Sequence, residues 1–228
     1  MLSTQLEAIV AASANSLSIG FVVGLVAALW SASGAIGQLM NTINIVYDEH
    51  EARSWFRRKA ISIALTFGAV VFIAIVSFSV VWLPRLIDRA GLDVGTRQLL
   101  NVLIWPGLAL TFGLALSFLY RIGPDRTPPR WRWVSTGSLF AILAWVVVTL
   151  GFRIYVANFA SYNETYGSLG AVAVLLVWLW LTSVIVLLGA EINAETEHQT
   201  AVDTTIGSEQ QMGDRGAVKA DTLGALRS

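Results

Sequence analysis

Apolar residues occupy this chain in long blocks, and the polar residues collect between the blocks. Five stretches of roughly 20 residues or more carry almost no charge, and about 20 apolar residues in an α-helix cross the ~30 Å hydrocarbon core of a bilayer. We therefore predict five membrane-spanning helices, over residues 17–40, 60–83, 99–120, 134–156 and 169–191. The predicted fold is an all-α, polytopic transmembrane helical bundle that occupies residues 17–194.

Polar segments flank the predicted bundle at both ends. Residues 1–16 form a polar N-terminal segment that has Glu7 but no Lys or Arg, so it lacks the positive region that begins a cleavable signal peptide. Residues 195–228 lose the apolar pattern and contain scattered charges between glycines. Such a composition is typical of disordered chain, and we expect a disordered tail here.

Composition agrees with a membrane protein and excludes several functions. Hydrophobic residues make up 55% of the 228 residues and charged residues 13%, against about 25% charged residues in soluble domains. A formal net charge of zero argues against a basic nucleic-acid-binding protein. The chain has no cysteine, which excludes disulfides, thiolate catalysis and cysteine-ligated metals.

The distribution of Lys and Arg predicts an orientation. The first and third loops hold eight basic residues and the second and fourth hold four; the eight are Arg53, Arg57, Arg58, Lys59, Arg121, Arg126, Arg130 and Arg132. Basic residues near span ends resist translocation. We therefore expect the first loop, the third loop and the C-terminal tail to be cytoplasmic, and the N-terminus to lie outside.

Small and polar residues recur at helical spacing along the first span, at Ser16, Gly20, Gly24, Trp30, Gly34, Gly37, Asn41 and Asn44. Such a stripe is typical of a face packed against a neighbouring helix or a second copy. The alternative is a polar track that lines a substrate path. In the third span, Gly113 and Ser117 form a further small pair that indicates packing.

The last span ends on carboxylates. A carboxylate at a helix C-terminus faces an unfavourable macrodipole of about 0.3–1 kcal/mol, so we expect Glu191 to pair with Arg53, Arg57 or Arg58, as a structural latch or as a gate that substrate moves. The residues that could form a polar track or gate share positions inside or at the ends of the spans; they are Trp30, Ser33, Asn41, Asn44, Tyr47, Glu51, Arg53, Asn101, Glu191 and Asn193.

Aromatic residues flank the fourth span on both sides. In residues 128–133, two prolines are followed by alternating arginine and tryptophan directly before the span, which favours interfacial anchoring over stacking on nucleic acid. Membrane lipids are the expected partners, with anionic lipids at Arg121–Arg132. On the other side of the membrane, an outer aromatic rim is predicted at Tyr155, Phe159, Tyr162 and Tyr166.

The chain shows no motif that predicts an enzyme or a cofactor. Its two histidines, His50 and His198, lie far apart in sequence, whereas a zinc hydrolase needs a cluster of ligands. A Walker loop, a G-x-S-x-G elbow and a carboxylate pair inside one span are all missing from the sequence.

Several local motifs together resemble one family. They are L-W-S-A-S-G-A from Leu29, N-x-x-Y-x-x-x-E-x-R from Asn44, R-I-G-P-D-R-T-P-P-R-W-R-W from Arg121, N-F-A-S-Y-N-E-T-Y-G-S-L-G-A-V from Asn158 and L-L-G-A-E-I-N-A-E from Leu187. Over about residues 15–197 the chain is similar to the YihY/virulence factor BrkB family of bacterial inner-membrane proteins. That resemblance implies a six-helix bundle with both termini cytoplasmic, of which this sequence lacks the first helix.

The resemblance also implies candidate functions. The first is a transporter or lipid-handling permease of the cell envelope, and the alternative is a non-transporting scaffold or assembly factor. The historical family label, ribonuclease BN, is the least expected because the cytoplasmic loops offer no catalytic cluster. A cavity lined by Asn41, Asn44, Asn101 and Glu191 would favour transport, whereas a tightly filled interior would favour a scaffold.

Overall fold

The computed structural model describes residues 2–158 and 168–224, and the side chains of residues 20–156 and 170–224. Within these ranges the chain folds into seven α-helices: α1 (Leu2–Val46), α2 (Trp55–Val81), α3 (Leu83–Arg89), α4 (Val94–Ile122), α5 (Trp131–Asn158), α6 (Ser168–His198) and α7 (Val218–Asp221). Five helical segments are long and apolar enough to cross a membrane: Gly20–Val46, Trp55–Arg89, Val94–Ile122, Trp131–Val156 and Gly170–His198. The predicted all-α bundle of five spans is confirmed.

The helices extend past the predicted span ends. Helix α1 continues to Val46 and α6 to His198, because the polar residues of these last turns find partners and need not leave the helix. Two helix starts have side-chain caps, in which Ser54 accepts a hydrogen bond from Arg57 N (3.4 Å) and Asp93 from Thr96 N (3.0 Å). Such caps satisfy backbone N–H groups that have no partner within the helix.

The long helices form a ring. Each one packs against the next long helix along the chain, and α6 also contacts α1. The buried core lies where α1, α4 and α6 end, around residues such as Ile43, Tyr120 and Ala190. We call this end of the bundle, with the first loop (47–54), the third loop (123–130) and residues 199–224, the polar end.

Helices α5 and α6 cross at two glycines. A Cβ atom built on Gly137 would lie 1.9 Å from the carbonyl oxygen of Gly189, so no side chain fits there. Helices α4 and α5 also approach closely, since the hydroxyls of Ser117 and Ser138 lie 2.9 Å apart and a Cβ on Gly113 would lie 2.7 Å from Ile142 Cδ1. The packing role predicted for Gly113 and Ser117 is confirmed.

The prediction of a disordered C-terminal tail was wrong for residues 195–224. Residues 195–198 belong to α6, and residues 199–224, named here the C-terminal strap, fold over the polar end. The glycines that suggested disorder form turns instead, because Gly207, Gly213 and Gly216 have φ angles of 113°, 103° and 68°, a region that glycine adopts without strain.

Polar side chains hold the strap together in place of an apolar core. The Arg215 guanidinium donates to the carbonyls of Ala220 (2.7 Å) and Ala201 (2.8 Å). The Asp221 carboxylate accepts from the backbone N–H groups of Gly213 (2.7 Å) and Arg215 (3.0 Å). Residues 225–228 lie outside the described residues, as do three members of the predicted aromatic rim, Phe159, Tyr162 and Tyr166.

Candidate functional site

Asn44 joins the first loop to the third loop at the polar end. Its side chain is buried, and its Nδ2 donates to Glu51 Oε2 at 3.0 Å while its Oδ1 accepts from Asp125 N at 2.7 Å. The chain reverses just after it at Asp48, whose φ of 58° lies in the left-handed region that Asp tolerates better than most residues. Asn44 therefore acts as a structural bridge.

Arg53 binds the end of α4 and the carboxylate of its own loop. Its Nε and Nη2 donate to the two Glu51 oxygens at 2.6 Å each, and Nη2 also donates to the carbonyl of Gly123 at 2.9 Å. The Asp125 carboxylate lies 3.6 Å from Nε. The hydrogen bonds from Arg53 hold the pKa of Glu51 below its ordinary value. A cation at this position also suits the negative end of the α4 dipole.

The predicted pairing of Glu191 with an arginine was wrong. Glu191 is exposed on α6, and none of the ion pairs in the described part of the chain includes it. Its expected partner Arg53 binds Glu51 instead. Water solvates the exposed carboxylate, so the dipole penalty needs no cation to offset it.

A fully buried ion pair lies two turns further along α6. Nη1 and Nη2 of Arg126 each donate to one oxygen of Glu197 at 2.5 Å, and the two side chains are 0% and 2% exposed. The Thr204 hydroxyl also donates to Glu197, and the guanidinium lies 4.9 Å from the centre of the Tyr47 ring. This bidentate geometry is the strongest form of an arginine–carboxylate pair.

Burial sets the protonation of this cluster. Burial alone would lower the pKa of Arg126, but the hydrogen bonds and charge of Glu197 outweigh it and raise that pKa. Burial also raises the pKa of the Tyr47 hydroxyl above its usual range. Arg126 and Glu197 were not among the predicted site residues, because spacing along α6 does not show which of its carboxylates is buried.

Asn193 joins α6 to the first turns of α5. Its Oδ1 accepts from Gly137 N at 2.7 Å, and its Nδ2 donates to the Val134 carbonyl at 3.2 Å. The side chain is buried beside the glycine crossing. Like Asn44, it fixes the backbone of a neighbouring element.

The C-terminal strap binds the third loop through backbone hydrogen bonds. Thr127 N donates to Gly216 O (2.9 Å), Arg130 N to Thr204 O (2.8 Å) and Ile206 N to Pro128 O (3.0 Å). An isolated antiparallel β-bridge joins Pro129 to Thr205. The third loop is therefore held along most of its length.

Charged contacts attach the same strap to the first loop and to α6. Lys219 Nζ lies 2.9 Å from Asp48 and 3.0 Å from Glu195, and Val218 N donates to Glu49 Oε1 at 2.8 Å. Burial would lower the pKa of Lys219, but these two carboxylates raise it. Burial raises the pKa of Glu49. The strap thus closes the polar end over both loops.

The remaining track candidates lie apart from this network. Ser33 is buried at the α1–α2 contact, where Lys59 Nζ donates to its hydroxyl at 2.6 Å and lies 4.1 Å from the centre of the exposed Trp30 ring. Asn41 is half-buried and donates to Gln38 of its own helix at 3.3 Å. Asn101 lies near the start of α4, at the opposite end of the bundle. One continuous polar track through the ten candidates is not formed.

Among the described residues, apolar crevices lie between the long helices instead, and three of them lie beside α2 and α4. The crevice between α1, α2 and α4 has a volume of about 570 Å³ and runs from Ile36, Ile61 and Ile122 to Phe72 and Ile75. The other two, of about 470 and 340 Å³, lie between α2, α3 and α4 and between α2, α4 and α5. Apart from the indole N–H groups of Trp105 and Trp145, the only polar side chains that line them belong to Ser77, Ser79 and Thr111.

The polar cavity that would have favoured transport is not among these three crevices. None of the three is lined by Asn41, Asn44, Asn101 or Glu191. Within the described ranges, the His, Asp and Glu side chains form no group of three or more that could hold a metal ion. In the described part of the chain, hydrogen bonds and ion pairs therefore close the polar end, and apolar crevices lie between the spans.

Comparison with known proteins places this architecture in a family. The profile of the virulence factor BrkB family matches residues 1–213. A putative ribonuclease-like protein, YfkH, from Bacillus subtilis is 35% identical over 176 residues, which cover 75% of this chain and 63% of that protein. UPF0761 membrane proteins from Mannheimia succiniciproducens and Verminephrobacter eiseniae are 29% and 32% identical, over 79% and 81% of this chain and 61% and 43% of their own lengths.

The chain thus spans less than two thirds of the length of these relatives. No solved structure matches it. The family resemblance seen in the motifs is confirmed by the profile and by the relatives.

Proposed function

The chain belongs to the virulence factor BrkB family of membrane proteins, and we propose that it is a lipid-handling permease of the bacterial inner membrane. The crevice between α1, α2 and α4 carries this proposal. Its volume of about 570 Å³ falls within the roughly 300–1,000 Å³ typical of ligand sites. Its lining suits an acyl chain.

The chemistry of the crevice favours a lipid over a hydrophilic solute. Thr111 is the one lining residue with a polar side chain, and its hydroxyl already donates to Gly107 of its own helix at 2.8 Å. A polar solute in a bundle needs hydrogen-bond partners, because an unsatisfied polar group in hydrocarbon costs several kcal/mol. An acyl chain needs none.

The polar end complements this role by closing one side of the bundle. We place that end in the cytoplasm, because eight basic residues lie in its two loops and their flanks. The buried Asn44, Asn193 and Arg126 hold loops and helices there. Lipid would therefore reach the crevice from within the bilayer and not through the polar end.

Transbilayer movement of a lipid tests the proposal. Purified protein in liposomes should accelerate the exchange of a fluorescent phospholipid between leaflets. A Gly68→Phe substitution should slow it at least tenfold, because Gly68 lines the crevice and a Cβ there meets nothing within 4 Å, so the added side chain takes up crevice volume. Gly151→Phe is the matched control, since Gly151 is an exposed glycine of α5 outside these crevices with equal room.

Two results would contradict the proposal. One is an exchange rate in wild-type liposomes equal to that in empty liposomes. The other is an equal rate of lipid exchange for Gly68→Phe and Gly151→Phe, which would show that the activity does not depend on the crevice.

A scaffold or assembly role is the second candidate, and the buried Arg126–Glu197 pair favours it. A polar end fixed by so many contacts suits a rigid platform as well as a permease. If wild-type protein moves no lipid but remains folded, a scaffold becomes the better explanation. The Bacillus subtilis relative is named a putative ribonuclease-like protein, but no cluster among the described side chains supports such an activity in this chain.

A further inference from the structure

We propose that the end of the α1–α2–α4 crevice nearest the polar end is the headgroup site of an anionic phospholipid, bound by Arg57, Arg58 and Arg121. The inference rests on the proposed function, because it names the lipid class that the same crevice takes. It goes beyond the anionic-lipid contact expected at Arg121–Arg132, because it adds Arg57 and Arg58 of α2 and assigns the headgroup to the crevice between the helices.

The three arginines lie beside the end of the crevice that is nearest the polar end. Arg57 and Arg58 lie one helical turn before Ile61 in α2, and Arg121 directly precedes Ile122 in α4; both isoleucines line the crevice. On the α1 side, the Arg58 Nη2 lies 4.0 Å from where a Cβ on Gly37 would be, next to the lining residue Ile36.

Arg121 is held against the crevice wall by aromatic contacts. Its guanidinium lies 4.5 Å from the centre of the Trp131 ring, and that ring contacts Phe118, a lining residue, at 5.0 Å. Its Nη1 is buried and donates no hydrogen bond within the described part of the chain. A phosphate oxygen is the acceptor that such a group suits best.

Two other arginines of the polar end are already paired with carboxylates. Arg53 and Arg126 form ion pairs with Glu51 and Glu197. Of the ion pairs formed by the described residues, none includes Arg57, Arg58 or Arg121. Three cations without carboxylates, beside an apolar crevice, complement a lipid that has a negative headgroup and apolar tails.

The depth of these residues matches a headgroup. Trp55 and Trp131 begin α2 and α5 next to the arginines, and tryptophan concentrates at the bilayer interface. A basic residue near an anionic surface contributes roughly a fivefold gain in binding. Three such residues acting together give a preference of about 100-fold.

Native mass spectrometry of the detergent-solubilised protein tests the inference. Phosphatidylglycerol and phosphatidylcholine with identical acyl chains are titrated separately, and the lipid adducts give two dissociation constants. We expect wild-type protein to prefer phosphatidylglycerol. The triple substitution Arg57→Gln, Arg58→Gln and Arg121→Gln should weaken phosphatidylglycerol binding about 100-fold and leave phosphatidylcholine binding unchanged.

Two further variants separate a headgroup contact from a structural effect. Arg121→Lys keeps the charge and should retain most of the preference. Arg85→Gln is the matched control, because Arg85 also stacks on a tryptophan, Trp82, at 5.6 Å, but near the other end of α2; it should change neither constant. Equal losses in Arg85→Gln and the triple variant would overturn the inference.

The crevice variant distinguishes this inference from the proposed function. If Gly68→Phe loses both lipids while the triple variant binds phosphatidylglycerol as wild type does, the headgroup site is wrong and the lipid crevice stands. If Gly68→Phe binds both lipids as wild type does, the crevice proposal fails and the headgroup site fails with it.

Discussion

Removing one partner of the buried Arg126–Glu197 pair should release the C-terminal strap. In a Glu197→Gln variant, the guanidinium of Arg126 stays charged, because arginine is not deprotonated in proteins, and it loses its carboxylate partner. The Thr204 hydroxyl loses its carboxylate acceptor at the same time. The strap then covers an uncompensated charge.

The magnitude follows from the burial of the pair. Breaking a buried ion pair by removing one partner costs about 3–5 kcal/mol, and the 0% and 2% exposure of these side chains puts this pair in that class. Because about 1.4 kcal/mol corresponds to a factor of ten in an equilibrium constant, opening of the strap should become at least roughly 100-fold more frequent.

Hydrogen–deuterium exchange in detergent micelles measures that opening at single backbone amides. The amides of Ile206 and Arg130 report it directly, since each donates across the contact between strap and third loop. Both should exchange about 100-fold faster or more in Glu197→Gln. The amides of α2, which does not contact the strap through these bonds, should keep their rates.

A control and a compensating variant complete the test. Glu191→Gln changes an exposed carboxylate of the same helix and should leave all these rates within about a factor of two, since surface changes cost less than about 0.5 kcal/mol. Replacing both partners, as Arg126→Met with Glu197→Leu, should recover much of the protection, because apolar replacement of a buried pair is often neutral. Exchange in Glu197→Gln that stays within threefold of wild type would refute this reasoning.

Three further outcomes follow from the same structure. Gly137→Ala should prevent the close α5–α6 crossing and lower the thermal unfolding temperature in detergent, because its Cβ would lie 1.9 Å from Gly189 O; Gly151→Ala, with open space around it, should not. Asn193→Leu should destabilise the bundle by about 1–3 kcal/mol in the same assay, because it leaves the buried N–H of Gly137 without its side-chain acceptor. Glu51 has a folded-state pKa below its ordinary 4.5, so its contribution to the stability of the folded state is complete above that value and is lost as the pH falls through the folded pKa. Glu51→Gln should therefore flatten the decline of the unfolding temperature below about pH 4.5. An unchanged decline would contradict this.

The hydrophobic pattern predicted the bundle because spanning a membrane needs apolar runs of about 20 residues, and five such runs in one chain are not expected of a soluble domain. The packing role of Gly113 and Ser117 could also be predicted, because helical spacing alone puts both on one face of α4. The span ends were less predictable. Asn41, Asn44 and Asn193 marked the predicted limits of hydrocarbon, yet the helices continue through them.

The contacts of the polar end could not be derived from spacing. Glu191 and Glu197 lie six residues apart on one helix, but only contact with the third loop and the strap decides which of them is buried. Likewise the strap residue Lys219 binds Asp48, far away in sequence. Composition predicts whether a segment can form an apolar core, and the strap is held mainly by hydrogen bonds and ion pairs.

The contacts of the strap can form only late in the synthesis of the chain. The first and third loops are made long before their partners, since Arg126 must wait for Glu197, and Asp48 for Lys219. At about 5–20 residues per second, the interval between Arg126 and Lys219 is roughly 5–20 s. A chain made only as far as residue 198 carries the five described spans with an open polar end, so the contacts that close this end form only after the spans have been made.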